Sequence, residues 1–506
     1  MMKLDLVGDG YQVVEYIVTP DVKHDSIKKH IEAIAAMYTN LRSIYIFGDV
    51  AVPYSGTYCN DNFYTVPPDG HKAGVGDHCG AWAADVYYAI PDGQWTDEDT
   101  VFYGSRYTWN QNDKGDGKYD EIELPGDVAY ELGRVDLHNM GWIQKPAMDL
   151  LKQYIEKNHR YRYRIDRPYT RALIDENFNP STEAFAGNGY RNFAAMVGQE
   201  NIIEADFMNT LQDSTFIWAY GTGPGSFTSA GGIGNTKDFN TKQGAATFNF
   251  LFGSFFGDWD NFSAFLRAPL ALENGGLTNA WAGRPWWHVH PMALNQSIGY
   301  CTKLVQNNVD EYATQFFRNN IHVALMGDPT LRMHMFAPPT DIQTSVDANR
   351  MKVTLSWTAS TENVDGYNVY FATNKYGPYY IANANLITGT SYTHNAVGTG
   401  TFYYMVRAQR KETTLSGSFQ NLSQGPIVMV DNLVTSGVDA LNHVEQFSIY
   451  PNPAADHVNI AFQTSDFIAG DLEVTDLNGR VMRQQAVRGI GSQVVEVDLS
   501  GLTPGT

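Results

Sequence analysis

The sequence predicts an α/β domain built on a mostly parallel sheet, followed by two all-β sandwich domains. Up to residue 337, short apolar runs alternate with segments of helical periodicity, which is typical of layered α/β domains. Ala337-Pro338-Pro339 interrupts this pattern, and the segments that follow alternate apolar and polar residues without a helical period. The length of 506 residues exceeds one ordinary core and fits three domains, at roughly 150 residues each.

The first helix of the α/β domain is predicted to begin near residue 25, where Asp25 or Ser26 can cap it. Its apolar face is formed by Ile27, Ile31, Ile34 and Tyr38. The apolar run Ser43–Phe47 follows and ends in Gly48-Asp49. This pattern predicts a buried parallel strand with a loop at its carboxyl end.

A second helix is predicted after Pro146, with one apolar face made by Met148, Leu151 and Ile155. Further buried strands are predicted at residues 171–174, 215–220 and 247–252. In open α/β sheets, ligand sites gather at the carboxyl ends of the strands. We therefore expect the functional residues in the loops that follow these runs.

Residues 338–430 are predicted to form a β-sandwich. Val353–Trp357, Tyr367–Tyr370 and Thr401–Val406 are strand candidates separated by turns. In order and spacing these strands resemble a fibronectin type III module. Residues 431–446 are predicted to be a linker.

Residues 447–506 carry three short motifs: Tyr-Pro-Asn-Pro-Ala at 450–454, Asp-Leu-Asn-Gly-Arg at 476–480 and Leu-Thr-Pro-Gly-Thr at 502–506. Without the motifs, the segment is compatible with any small β-sandwich. Together they resemble the C-terminal sorting domain of the type IX (Por) secretion system of Bacteroidetes-type bacteria. The resemblance implies export by that machinery to the extracellular space or the outer-membrane surface. The family's last strand would follow Thr506, so we expect the sorting domain to be incomplete at its C-terminus.

Composition excludes several classes of partner. The net charge of −20 argues against nucleic acids and anionic membranes, and no apolar run approaches the ~20 residues of a transmembrane helix. Met1–Gly10 lacks the basic and apolar regions of a signal peptide. Cys59 and Cys79 lie in one Gly/Asp-rich region, where they can pair or, with Cys301, stay free.

The α/β domain resembles the gingipain-type cysteine peptidases in several segments that occur in the family's order. They are Ser43–Asp49 with Val52-Pro53, Asp85–Tyr88, Asp116–Glu121, Gly133-Arg134-Val135 and Met326–Arg332. Asp136 stands where the family's Gly-Arg-[Ile/Val]-Pro element has proline. The resemblance implies a caspase/gingipain-like fold over residues 1–337, with an N-terminal subdomain (1–140) and a former catalytic subdomain (141–337).

Both catalytic positions of that family are changed in this chain. The family's histidine loop corresponds to Gly221–Ser226, where Pro224 occupies the histidine position. The family's cysteine, at the end of the next strand, corresponds to Ser254. Proline cannot accept a proton, and a serine hydroxyl without a base is a weak nucleophile. The resemblance therefore points to a pseudoenzyme.

His288 and His290 are the candidates for a substitute function. On a strand they would share one face, as a substitute base for Ser254 or as a pair of metal ligands. Packed or solvated histidines in a Trp-rich loop are the alternative. No Gly-x-Ser-x-Gly elbow surrounds Ser254, so the sequence does not favour an ordinary serine hydrolase.

The segment 110–121 is rich in oxygen donors and glycines, as a Ca²⁺ loop requires. The predicted ligands are Asp85, Asp113, Asp116, Asp120 and Glu121. Lys114 departs from an EF-hand loop, and a solvated acidic turn is the alternative. The family resemblance also implies metal in this region.

The leading functional hypothesis is a secreted or surface-bound, catalytically inactive protein with a binding, adhesion or structural role. Its partner would be an extracellular peptide, protein or glycan, held by aromatic side chains near the former cleft (Trp259, Trp281, Trp286 and Trp287). Packing of these tryptophans in the core is the alternative. An active extracellular peptidase or hydrolase that uses Ser254 with His288 or His290 is the second hypothesis. A scaffold in which only the β-modules matter is the third.

Overall fold

The computed structural model describes residues 1–57, 80–98, 107–178, 185–282, 284, 286–308, 319–395, 397–432, 444–451, 454–476 and 480–502. The chain forms two compact units, Met1–Asp431 and Asn432–Thr506. Cys59 and Cys79 lie outside the described residues, whereas Cys301 is buried as a free thiol. In the described part of the chain, no helix combines the length and the apolarity needed to span a bilayer.

The described α-helices are α1 (Met2–Gly8), α2 (His24–Met37), α3 (Ala147–Arg162), α4 (Gly187–Val197), α5 (Phe207–Asp213) and α6 (Ile298–Gln306). Short 3-10 helices cover Asp85–Ala89, Thr108–Asn110, Gln199–Asn201, Thr236–Asn240, Phe265–Ala271 and His290–Leu294. The strands in the first part of the chain are β1 (Ser43–Phe47), β2 (Tyr54–Ser55), β3 (Trp82–Ala83), β4 (Glu131–Val135), β5 (Ala172–Glu176), β6 (Ile202–Glu204), β7 (Trp218–Thr222), β8 (Gly225–Ser226), β9 (Ser229–Ala230), β10 (Gly234–Asn235), β11 (Phe248–Phe252), β12 (Thr278–Trp281) and β13 (Leu325–Gly327).

The α/β part is organised by one eight-stranded sheet with the order β1-β4-β13-β12-β11-β7-β5-β6. The pair β12–β13 is antiparallel, and every other neighbouring pair in this sheet is parallel. Consequently β1, β4 and β13 run opposite to the other five strands. The carboxyl ends of β1, β4 and β13 therefore lie at one end of the sheet, and the carboxyl ends of the other five strands lie at the opposite end. Strands from both predicted subdomains belong to this sheet.

The mostly parallel sheet agrees with the sequence, but β1 differs from its prediction. Ser43–Phe47 pairs with β4 on one side only and lies at the edge of the sheet. Of its five residues, only Ile46 is buried. The apolar run predicted a buried strand, whereas the burial of a strand depends on its position in the sheet and on pairing that the run itself does not encode.

The two predicted helices form, with local differences. Helix α2 begins at His24, so Asp25 lies in its first turn and does not cap it; the Asp25 carboxylate instead accepts hydrogen bonds from Tyr87 (2.8 Å) and Tyr119 (2.6 Å). Helix α3 begins directly after Pro146, as predicted. Its buried face is formed by Leu150, Tyr154, Lys157 and Tyr161 rather than by Met148, Leu151 and Ile155, and Met148 is exposed.

The remaining strands are β14 (Thr340–Val346), β15 (Lys352–Thr358), β16 (Gly366–Ala372), β17 (Tyr380–Ile381), β18 (Ser391–Asn395), β19 (Gly400–Thr414), β20 (Gly417–Leu422), β21 (Ile427–Asn432), β22 (Val444–Tyr450), β23 (His457–Thr475) and β24 (Val481–Asp498). Strands β14-β15-β18 form one sheet and β17-β16-β19-β20, with β21 on β19, form a second. Residues from both sheets, including Leu355, Trp357, Val369 and Tyr404, share one core. This is the predicted β-sandwich.

In the second unit, β22, β23 and β24 form one antiparallel sheet with a small apolar cluster. A sandwich was predicted, but the described residues of this unit contain no second sheet. The reason is that β23 and β24 pair along most of their length.

Candidate functional site

The loops that follow β7 and β11 and contain Pro224 and Ser254 lie side by side. Strands β7 and β11 are parallel neighbours, with Thr222 opposite Phe252, so their carboxyl ends lie next to each other. Beyond the strands, Gly223 N donates to the carbonyl oxygen of Phe252 at 3.1 Å. The structure therefore brings together the two loops that the sequence singled out.

Glycine at position 225 permits this close approach. A Cβ on Gly225 would lie 2.3 Å from the backbone nitrogen of Ser254 and 2.5 Å from its carbonyl oxygen. Pro224 is exposed, and Ser254 is partly buried. Pro224 and Ser254, to which the family resemblance assigns the positions of a base and a nucleophile, thus lie on adjacent loops.

A carboxylate next to these loops was missed by the sequence analysis. Glu176, the last residue of β5, accepts hydrogen bonds from Thr222 Oγ1 (2.6 Å) and from the backbone nitrogens of Phe178 and Ala186 (2.9 Å each). Its neighbour Asp175 is held by Asn177 Nδ2 and by Phe207 N, and burial raises the pKa of the Asp175 carboxyl. The acidic pair directly after the apolar run 172–174 was the signal that could have identified them.

His288 and His290 are not joined to Ser254. The His288 ring is buried, its Nε2 lies 3.2 Å from Asn308 Nδ2, and the two histidine rings are 6.4 Å apart. Burial lowers the pKa of His288 to about 4, so this imidazole is neutral near pH 7. Among the described residues, no hydrogen bond links Ser254 to either histidine.

Three of the four tryptophans proposed as a binding surface are core residues. Trp259, Trp281 and Trp287 are almost completely buried, and the indole N–H groups of Trp281 and Trp287 donate to backbone carbonyls. Trp286 is partly buried, with the Arg191 guanidinium 4.0 Å from its ring. The Trp-rich pattern therefore reflects packing, because Trp259, Trp281 and Trp287 belong to the main apolar core.

A different aromatic cluster lies beside the loops that contain Pro224 and Ser254. Phe255 follows Ser254 with φ +68°, and its ring is 4.8 Å from Phe227, which lies between β8 and β9. Tyr107 packs edge-on against both rings and stacks on Trp109 at 4.7 Å. Trp109 is 42% exposed. This aromatic cluster (Tyr107, Trp109, Phe227 and Phe255) thus presents an accessible indole next to the paired loops.

At the opposite end of the sheet, where β1 and β4 finish, lies an acid–histidine pair that the sequence analysis also missed. Asp136 follows β4, is fully buried, and accepts from His138 Nδ1 at 2.7 Å. Asp49, after β1, lies 3.7 Å from the same nitrogen. The guanidinium groups of Arg267 and Arg134 approach Asp136 to 3.6 and 3.9 Å.

Asp49, Asp136 and His138 could together offer ligand atoms to a metal ion. Among the described residues, they are the one group of three or more Asp, Glu, His or Cys side chains whose ligand atoms all lie within 4.8 Å of one another. Two arginines already neutralise Asp136, however, and positive charges this close oppose a divalent cation. The arrangement is therefore better explained as a buried ion-pair network. Its sequence signal was Asp136 itself, at the position where the resembled family has proline.

The predicted calcium ligands divide into two groups. Both carboxylate oxygens of Asp85 accept from Arg134 at 2.7 Å in a buried ion pair, which leaves Asp85 committed to that arginine. Asp116 accepts from the backbone nitrogens of Asp113 and Lys118, and Asp120 accepts from Glu98 N at 2.7 Å. Asp97, not predicted, accepts from the backbone nitrogens of Gly115 and Gly117.

Three oxygens around this loop are buried without a hydrogen-bond partner in the described residues. They are Asn112 Oδ1, Asp113 Oδ1 and Glu121 Oε2. Buried oxygens without a donor are costly, and they are the ligand type that Ca²⁺ prefers. The chemistry of the loop therefore suits an oxygen-ligated cation, with a ligand set that differs from the predicted one at Asp85 and Asn112.

Comparison with known proteins identifies one domain. Residues 448–506 match the family model "Secretion system C-terminal sorting domain". No curated protein matches the chain. The sorting domain marks the chain for export to the extracellular space or the outer-membrane surface through the type IX secretion machinery.

Similar solved structures include proteins with fibronectin type III modules. An Fn3-like protein from Clostridium thermocellum is 30% identical over 19% of this chain and 92% of its own length (TM-score 0.15). A two-domain fibronectin type III segment of chicken tenascin is 11% identical over 32% and 82% (TM-score 0.17). The spore cortex lytic enzyme SleM of Clostridium perfringens is 12% identical over 60% and 80% (TM-score 0.17). At these TM-scores the likenesses do not establish a shared fold for the whole chain.

Proposed function

We propose that this exported protein is a catalytically inactive relative of the gingipain-type peptidases that binds an extracellular peptide, protein or glycan. The observation that supports this proposal is the close approach of Gly225 to Ser254, which brings two loops together. These loops hold Pro224 and Ser254 where the resembled family has its catalytic residues. A scaffold that keeps this geometry without a base or a thiolate supports recognition rather than bond cleavage.

The aromatic cluster supplies the binding surface in this proposal. Exposed tryptophan is favoured in contacts with peptides and sugars because one flat apolar face is buried at little entropic cost. Trp109 is the accessible member, and Tyr107, Phe227 and Phe255 hold it beside the paired loops. The ligand would therefore lie across the carboxyl ends of β7 and β11.

A cleavage assay tests the absence of catalysis. The intact chain and its Ser254→Ala variant are incubated with a broad fluorogenic peptide library, with calcium and a reductant present. We expect both proteins to give the background rate. Cleavage by the parent that disappears in Ser254→Ala would refute the proposal and favour a hydrolase with a substitute base.

A binding assay tests the surface. Peptide and glycan arrays are probed with the parent chain, with Trp109→Ala and with Phe262→Ala, a matched control that removes an aromatic side chain 48% exposed outside the cluster. We expect a ligand that Trp109→Ala loses at least about tenfold and Phe262→Ala retains. Equal binding by all three proteins would remove the cluster from the proposal.

We further propose a structural Ca²⁺ in the loop 110–121, held by oxygens that include Asn112 Oδ1, Asp113 Oδ1 and Glu121 Oε2. The support is the lack of any hydrogen-bond donor for these three buried oxygens among the described residues. Bound Ca²⁺ would order a loop that contributes to the same part of the fold as the aromatic cluster, since Thr108–Asn110 directly precedes it.

A further inference from the structure

The open side of the edge strand β1 borders a large groove. This groove has a volume of about 1360 Å³ and is lined by β1, by helices α2 and α3, and by the N-terminal segment that contains Gln12–Val18. Pockets for small molecules usually measure about 300–1,000 Å³. The size of the groove therefore favours a longer occupant.

Helices cover both faces of β1, although its edge is open. Ile44 and Ile46 belong to the same apolar cluster as Ile27 and Ile31 of α2. Tyr45 and Phe47 point to the other face and belong to the cluster that contains Leu151 of α3. The groove thus lies between two helical layers, in the plane where a further strand of the sheet would lie.

The hydrogen-bonding groups of β1 divide cleanly between the sheet and the groove. Glu131 N donates to Arg42 O and Gly48 N donates to Val135 O, in the alternating pattern of a parallel pair. The backbone N–H and C=O groups of Ile44 and Ile46 therefore point towards β4. The backbone N–H and C=O groups of Ser43, Tyr45 and Phe47 point towards the groove. Those outward groups make no hydrogen bond to another described residue.

The opposite wall is also unpaired. Gln12–Val18 reads Gln-Val-Val-Glu-Tyr-Ile-Val, which is rich in residues that favour strands, and its backbone makes no hydrogen bond within the described chain. Val14 is 44% and Ile17 is 82% exposed. Exposed β-branched side chains beside an undefended strand edge are characteristic of a site for strand addition.

From these observations we infer that the groove binds an extended peptide strand with uncharged apolar side chains. The strand continues the β1–β4 pairing of the sheet by hydrogen-bonding to Ser43, Tyr45 and Phe47. The helices on the two faces of β1 line the groove with apolar residues that include Ile31, Ile34, Leu151 and Ile155, so the central side chains of the partner are apolar. Charged side chains, among them Glu15 and Lys152, also line the groove. Since β1 has five residues, a partner of about five residues, roughly 16 Å long, spans it.

The experiment uses the full chain and a fluorescein-labelled peptide, Thr-Val-Ile-Val-Ile-Thr, with blocked ends. Fluorescence anisotropy measures its binding to the parent protein and to two variants, Tyr45→Pro and Tyr45→Val. Both variants lack the tyrosine ring, but only proline removes the N–H that faces the groove and is not used in the fold. We expect saturable binding by the parent and by Tyr45→Val, and binding at least about tenfold weaker by Tyr45→Pro.

Two N-methylated peptides keep the test independent of the fold of the proline variant. In each of them, N-methylation of alternate residues removes the N–H donors on one side of the strand, and the two peptides differ in which side is methylated. We expect one of the two alternating methylation patterns to abolish binding. No saturable binding of the unmethylated peptide, or equal binding of all peptides, would overturn the inference. Self-association of the protein that the peptide disrupts would show a second copy in the groove and would overturn the assignment of a separate partner.

Discussion

The carboxylate of Asp9 lies 2.8 Å from the guanidinium of Arg162, and both side chains are about 1% exposed. Asp9 follows α1 and Arg162 ends α3. The same carboxylate pairs with Arg332 (2.5 Å) and with Arg407 (3.3 Å), which belongs to β19 of the β-sandwich. One buried carboxylate therefore links the N-terminal segment, the α/β domain and the sandwich.

Neutralising Asp9 is expected to destabilise the first unit strongly. Asp9→Asn removes the counter-charge shared by the buried Arg162 and Arg407 and the partly buried Arg332, and breaking a buried pair typically costs about 3–5 kcal/mol. Urea unfolding followed by tryptophan fluorescence measures the loss, with the exposed Asp213→Asn as the control. A change of less than about 1 kcal/mol for Asp9→Asn would show that the cluster is structurally dispensable.

The same residue predicts a specific acid sensitivity. Burial alone would raise the pKa of Asp9, but Arg332, Arg162 and Arg407 outweigh burial and hold this pKa below its usual value. A carboxyl with a depressed folded pKa stabilises the fold fully above about pH 4, and this contribution is lost as the pH falls through the folded pKa. The free energy of unfolding, measured from pH 5 to pH 2, should therefore fall less steeply in Asp9→Asn than in the parent chain. Identical slopes would contradict this assignment.

The hydrogen-bonded pair Asp136–His138 predicts a raised pKa for His138. The hydrogen bond to Asp136 raises the pKa of His138 above 6.5, against the lowering effect of burial. Its stabilising contribution is thus present below about pH 6.5 and is lost as the pH rises through the folded pKa. NMR titration of the His138 ring, assigned with His138→Gln, should show a lower pKa in Asp136→Asn. Asp49→Asn should lower it less, since Asp49 lies 3.7 Å away.

The proposed calcium site predicts which loop residues matter. In thermal unfolding of chelator-treated protein, added Ca²⁺ should raise the Tm of the parent chain, because the ion binds only the folded loop. Asp113→Asn and Glu121→Gln should reduce this rise. Asp85→Asn should keep it, since Asp85 is occupied by Arg134.

Calorimetric titration with Ca²⁺ provides the independent measurement for this site. Heat released by the parent and lost in Glu121→Gln would support the ligand set. No heat and no thermal shift in the parent would remove calcium from the description of this protein.

Local sequence patterns predicted where helices and strands form better than they predicted what those helices and strands pack against. Pro146 indicated the start of α3 because its missing N–H and fixed φ suit the beginning of a helix. The apolar face that Met148, Leu151 and Ile155 indicated is present, but it lines the groove beside β1 rather than the core. Periodicity identifies an apolar face without identifying what covers it.

The sequence could place residues in the loops that follow predicted strands, whereas their role in a site stays a prediction. Pro224 and Ser254 follow apolar strands, and parallel pairing of those strands brings their loops together. Glu176 was missed because its hydrogen bond to Thr222 joins residues that are 46 positions apart. The tryptophans at 259, 281 and 287 follow the core alternative rather than the binding surface, and the sequence left both open because a Trp-rich segment is compatible with either.

The sequence by itself determined the export of this protein and the order of its α/β and all-β parts. These conclusions rest on residue identities and short spacings, which do not depend on pairing partners. Only the tertiary structure decided that β12 and β13 pair antiparallel, that β1 lies at an edge, and that Asp85 and Asp136 belong to arginine networks. Each of these depends on contacts between residues far apart in the chain, which local propensity and hydrophobic patterning do not specify.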